Sequence, residues 1–227
     1  MNDRSAIEPH RRDDRRRLAL WLTLVGFFIV VQYASRASGG QESDPLYKWS
    51  FAAASLIQEA VFLLIVVAIA GFSPMRLGWR LPSLKWRSIG LALAAFFAIQ
   101  IFEFVYIAFV HPGNEQGLTP ERWQPSHAAQ YVANGVIVCT VVPFVEESTF
   151  RGLGFYLLRP YGASFAILAT GILFGLSHGL LIALPVIVVF GCALGWLRER
   201  TDSVFPGMLV HSTFNLIALV AAVTTHR

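Results

Sequence analysis

The chain has 227 residues, 55% of them hydrophobic and 14% charged, with a formal net charge of +4. A soluble domain carries about a quarter charged residues, so this composition, with a mean hydropathy of +0.56, excludes an ordinary water-soluble fold. The basic residues lie between apolar runs, which speaks for membrane topology and against nucleic acid as a partner; Cys139 and Cys192 sit inside apolar runs and form neither a disulfide framework nor a spaced metal motif.

The first element is a basic arm, residues 1–17, carrying Arg11, Arg12, Arg15, Arg16 and Arg17. The apolar run Leu18–Ala34 follows. A secretory signal peptide competes for this segment, because Ala34-Ser35-Arg36-Ala37 loosely resembles a cleavage site. The run is longer than an ordinary signal core and reads as an uncleaved anchor. Six more apolar runs come after it: Ser50–Phe72, Ser88–Val110, Gln130–Leu158, Ser164–Leu180, Leu181–Leu197 and Val204–Val223. A membrane-spanning helix needs about 20 mostly apolar residues. None of the runs alternates as a barrel strand would, and an open sheet cannot satisfy its backbone in lipid.

The expected fold class is therefore all-α, a polytopic transmembrane helix bundle of about seven spans. Residues 18–227 read as a single membrane domain with a motif-bearing core at about 130–223. Gly and Pro punctuate the loops at Gly39-Gly40, Pro74, Pro82, Pro112-Gly113, Pro120, Pro125 and Pro206-Gly207. Trp79, Trp86 and Trp196 fall near predicted membrane boundaries, as aromatic belts do. The arm, the loop with Arg76, Arg80, Lys85 and Arg87, then Arg159, then Arg198 and Arg200 all fall on one side of this topology. Glu42, Asp44, Glu115 and Glu121 fall on the other. Positive charge stays inside, so the N-terminus is expected in the cytoplasm, with the protein integral to the plasma (inner) membrane.

Several polar residues lie within the predicted spans. A charge at the bilayer centre costs roughly 2.5–3.5 kcal/mol on an insertion scale. The fourth span holds Glu146, Glu147 and Arg151, which unpaired would cost on the order of 8 kcal/mol, against a folding free energy of about 5–15 kcal/mol. Glu147 and Arg151 are four residues apart and share a helix face, so they can pair. Glu146 points about 100° away, which leaves it as a candidate general base. A structural role in a hydrated cavity is the plainer alternative.

The fifth span ends with Phe174 and His178; the seventh carries His211 and Asn215, again four apart. Intramembrane ionisable groups face a bundle interior or a water-filled cavity, and groups of this kind converging there can activate water and stabilise an oxyanion. Gly171, Gly175 and Gly179, with Gly191 and Gly195 in the next span, allow close helix packing. Glu59 and Glu103, near Gln58 and Gln100, either line the cavity or hydrogen-bond between helices. Gly175-Leu176-Ser177-His178-Gly179 fits the Gly-x-Ser-x-Gly hydrolase pattern, but that motif needs a strand-turn-helix setting. A Ser177–His211 dyad is retained only as a minor alternative.

Glu146-Glu147-x-x-x-Arg151, Phe174-x-x-x-His178 and His211-x-x-x-Asn215 together resemble the three motifs of the CAAX protease and bacteriocin-processing (CPBP, or Abi) family of intramembrane proteases. The resemblance covers roughly Val136 to Leu219 and implies a membrane endopeptidase. By it, Glu146 activates water with help from His178, His211 and Asn215 stabilise the oxyanion, and Glu147 with Arg151 holds the geometry. The family is commonly labelled metalloprotease, and Glu146, His178 and His211 are the residues available for a Zn2+ ion with water in the open position. They lack the His-Glu-x-x-His arrangement, and a metal-free glutamate mechanism uses the same residues. The implied partners are the lipid bilayer and a membrane-bound or lipidated peptide substrate. A peptide-binding scaffold or immunity-type protein and a small transporter or proton relay are the other readings; the last predicts a polar path through both leaflets.

In straight helices His178 falls near the outer end of its span and His211 in the inner half of its own. Convergence therefore requires short or broken helices, with Pro143 and Pro185 as the expected breaks.

Overall fold

In the computed structural model, residues 4–39, 44–82, 85–110, 115, 120 and 122–224 are described, residues 4–11 and Lys85 by their backbone alone. Gly40, Glu42, Pro112, Gly113 and Glu121 lie outside the described residues, as do the side chains of Arg11 and Lys85. Among the described residues there is no strand, and all seven predicted runs are helical. The fold is an all-α polytopic bundle.

The first three helices are long and uninterrupted: α1 (Arg4–Ala37), α2 (Trp49–Ile69) and α3 (Lys85–Val110). The basic arm is thus the opening of the same helix that carries the first apolar run. The fourth span is assembled from pieces: α4 (Ala128–Val136), a π-helical segment Ile137–Val141, α5 (Val142–Glu147), a second π segment Ser148–Gly154 and α6 (Phe155–Leu158). After it come α7 (Ala163–Ser177), α8 (Leu184–Thr201) and α9 (Phe205–Thr224). Among the described residues five helices are long and apolar enough to cross a membrane; α7 is apolar but shorter.

The breaks differ in part from those expected. Pro143 does follow a disturbance, the first π segment. Pro185 breaks nothing: it stands in the first turn of α8, where its missing N–H has no helical partner to lose. Gly179 is what ends α7. Its φ of +65° suits a residue without Cβ, and its N–H donates to Leu176 O at 3.0 Å, closing the helix one turn sooner than the apolar run suggests.

α7 and α8 form a tight hairpin. A Cβ on Gly171 would lie 2.5 Å from Cys192 Sγ, and one on Gly175 2.5 Å from Val188. α1 and α2 pack on the fourth span, and α3 on α8 and α9. Arg76 and Asp14, Arg80 and Asp202, Arg198 and Asp202, and Arg159 and Glu199 pair at one end of the bundle. A cleft of about 610 Å³ opens there, lined by Asp14, Arg80 and Arg159 among others and by none of the six candidate site residues. A second apolar cluster gathers Leu46, Tyr47, Tyr131 and Leu219.

Candidate active site

Four of the six candidate residues meet directly in the bundle interior. Glu147 and Arg151 have no solvent exposure. Arg151 Nη1 donates to Glu147 Oε1 at 2.9 Å, and its Nη2 donates to Gly191 O at 2.9 Å. Its guanidinium carbon lies 4.2 Å from the Phe174 ring centroid, so aromatic, carbonyl and carboxylate share the buried charge. His211, on α9, bridges both glutamates: Nδ1 is 3.3 Å from Glu147 Oε1 and Nε2 is 3.6 Å from Glu146 Oε2. Glu147 is therefore engaged twice through Oε1, and Oε2 of Glu147 and Oε2 of Glu146 are both buried without a hydrogen bond among the described residues. The Glu146 side chain is 21% exposed.

His178 joins through Phe174. Its Nδ1 lies 2.8 Å from Phe174 O; as a carbonyl only accepts, Nδ1 carries the proton and Nε2 is left as an acceptor. The Phe174 ring contacts both histidines, with centroids 4.7 Å from His178 and 5.8 Å from His211, and Phe190 lies 5.0 Å from His211. Asn215 does not touch the other five. Its Nδ2 donates to Val138 O at 2.8 Å, a bond with a local cause. In π register the carbonyl of 138 would receive the N–H of residue 143, which is proline and has none. Asn215 supplies the missing donor.

The second π segment creates further needs, and residues distant in sequence meet them. Trp21 Nε1 donates to Thr149 O at 3.0 Å, Arg198 Nε to Arg151 O at 3.0 Å, and Trp79 Nε1 to Ser148 Oγ at 2.8 Å. Trp79 is thus tied to the element carrying the site rather than serving only a boundary belt. Trp86, in the first turn of α3, is 85% exposed. Nothing in the spacing of Trp21 or Arg198 marks either as a support; the clue would have been the glycines opposite them, Gly154 for Trp21 and Gly78 for Arg198. A Cβ on Gly154 would sit 2.2 Å from the Trp21 ring, and one on Gly152 2.4 Å from Leu77 O. Gly191 and Gly207 make room in the same way for Arg151 and Glu147: a Cβ there would lie 3.1 Å from Arg151 Nη2 and 3.0 Å from Glu147 Oε2. Gly191, read from the sequence as packing alone, thus also shapes the site.

Ser177 Oγ donates to Phe174 O in its own helix at 2.7 Å. Glu59, on α2, and Glu103, on α3, are each partly buried, and Glu59 is close enough to Glu146 for their charges to interact. Among the described residues no three His, Cys, Asp or Glu side chains form a group able to hold a metal ion. Glu146, His178 and His211 are not gathered into such a group.

The fold and this interior define a multi-pass integral membrane protein that keeps acidic, basic and imidazole groups together among apolar helices. Residues 128–217 match the family model described as Rce1-like, type II CAAX prenyl endopeptidase Rce1-like, so this segment of the chain is similar to that family. No curated protein and no solved structure matches the chain.

Proposed function

We propose that the protein hydrolyses a peptide bond of a membrane-bound or lipidated peptide, with Glu146 as the base that activates water. One observation carries this reading: of two adjacent carboxylates, Glu147 is bound through Oε1 to Arg151 and His211, while Glu146, partly exposed, makes no hydrogen bond among the described residues. The proposed setting is the plasma (inner) membrane with the N-terminus in the cytoplasm.

In the proposed reaction Glu146 takes a proton from water as the water oxygen bonds to the scissile carbonyl carbon. His178 Nε2, the acceptor left by the Nδ1–H bond to Phe174 O, holds the water's second hydrogen. Charge develops on the carbonyl oxygen. His211, doubly protonated and held at Nδ1 by Glu147, donates Nε2–H to it, and the second N–H of the Asn215 amide is the companion donor. Collapse of the tetrahedral intermediate breaks the C–N bond, and Glu146 returns its proton to the departing amine. Arg151 and Glu147 hold His211 in place and do not touch the reacting atoms. These side chains are sufficient for the sequence without a metal.

The test is cleavage of a membrane peptide by purified protein in liposomes. Glu146→Gln is expected to lower kcat by about 10²–10⁴-fold while the thermal unfolding midpoint stays in place, and chelator is expected to leave wild-type activity unchanged. Equal cleavage by variant and wild type would remove Glu146 from the mechanism. Cleavage by neither would favour a peptide-binding role.

A further inference from the structure

The turn that follows His178 is held from outside the family-matched segment. Glu115, between α3 and α4, accepts three consecutive backbone N–H groups: Leu181 and Ile182 on Oε1 at 2.7 and 3.0 Å, and Ala183 on Oε2 at 2.8 Å. These amides lie in the 178–183 turn and precede α8, so no helical carbonyl is there to receive them. The same turn is fastened from α1, where Tyr33 Oη donates to Leu180 O at 3.3 Å, and from α3, where Tyr106 Oη donates to Ile182 O. Gly179 packs on Gln32 and Arg36, and Arg36 Nη1 donates to Glu115 O at 2.8 Å. Leu180 is 1% exposed and anchors the turn by burial, but Leu181 and Ile182 are 69% and 45% exposed, so burial of their own side chains does not fix the clamped residues.

We infer that Glu115 is a positioning residue for His178. By clamping 181–183 it fixes the path of the chain beyond the stop at Gly179, and so holds the imidazole of His178 against Phe174 and the site. The inference rests on the proposed role of His178 for its effect on catalysis, but not for the clamp itself. Among the described residues the titratable and charged groups near the clamp are Tyr33 and Arg36 from α1, Tyr106 from α3 and His178 at the end of α7. Burial pushes the Glu115 carboxyl up, but the bonds from Ile182, Ala183 and Leu181, with the charge of Arg36, outweigh it and hold the carboxyl below its ordinary value.

Two readouts independent of activity test the clamp: amide hydrogen exchange at Leu181, Ile182 and Ala183, and the His178 ring nitrogen signals, assigned by their loss in His178→Ala. In Glu115→Ala the three amides are expected to exchange about tenfold faster or more, and the His178 signals to shift. Glu115→Gln keeps one acceptor oxygen, and is expected to speed Ala183 while sparing Leu181 and Ile182. Unchanged exchange, or unmoved His178 signals, would overturn the inference. In an active preparation Glu115→Ala should lower kcat by about tenfold to a hundredfold, leave KM within about twofold, and have no further effect in the His178→Ala background. Additive losses would reduce Glu115 to a structural contact. A wild type without cleavage would defeat the proposed function and leave the exchange and ring signals to decide the clamp.

Discussion

In α1, α2 and α3 only 11% of the most apolar window is buried inside the protein, against 28% in the interrupted span Pro125–Tyr161 and 22% in α9. The long helices turn large side chains outward, Phe27 at 67% exposed, Leu64 at 67% and Phe104 at 77%, as lipid-facing surface. The motif-bearing helices turn inward and are shorter, bent through π turns or packed on glycine. The difference follows from what each must bury. A helix that meets only lipid can satisfy every backbone group within itself and remain regular. A helix that must gather two carboxylates, a guanidinium and an imidazole gives up regular hydrogen bonding and depends on neighbours to restore it. The two regions are nonetheless joined, because Trp21 and Trp79 donate to the second π segment from outside the family-matched residues.

The largest effect that would sharpen this contrast comes from the buried pair. Arg151→Ala leaves the buried Glu147 with His211 as its remaining partner and is expected to lower stability by about 3–5 kcal/mol, seen as an earlier unfolding midpoint in detergent. A midpoint equal to wild type would mean that water reaches Glu147. Glycine substitutions come next. Gly154→Ala drives a methyl into the Trp21 ring and should cost about 1–3 kcal/mol. Gly26→Ala and Gly90→Ala meet nothing within 4 Å and should gain up to about 1 kcal/mol; similar losses at all three sites would break the comparison. Phe104→Leu, on the lipid face of α3, should change stability by no more than about 0.5 kcal/mol.

The smallest effect is set by pH. The Glu115 carboxyl lies below its ordinary value of 4.5, so its bonds to the 181–183 turn contribute fully above that value and fade as pH falls through the lowered one. Exchange of those amides should accelerate only under such acid conditions. Acceleration beginning near neutral pH would assign the clamp to another group.

All seven helical runs were legible from apolar length alone, most ends falling within a few residues, because lipid imposes a minimum length that composition reveals. The Glu147–Arg151 pair was legible because a spacing of four places side chains on one face. The two π segments were not: a run of apolar residues reads alike in either register, and only Pro143 hinted at the first. Trp21, Arg198 and Glu115 act through backbone groups that their own neighbourhoods in sequence do not show. Asn215 was singled out for the right span, but its bond to Val138 O depends on a carbonyl that becomes free only when the π turn and Pro143 coincide.

The shortness of α7 has a consequence for the surrounding lipid. Fifteen helical residues extend about 22 Å, less than the roughly 30 Å of an average hydrocarbon core. Beside this hairpin the bilayer must thin, or polar headgroups and water must dip toward the turn after His178. Bilayer thickness then becomes a variable of the protein itself: short-chain lipids match the hairpin, whereas long-chain lipids strain it at the point where the imidazole is held.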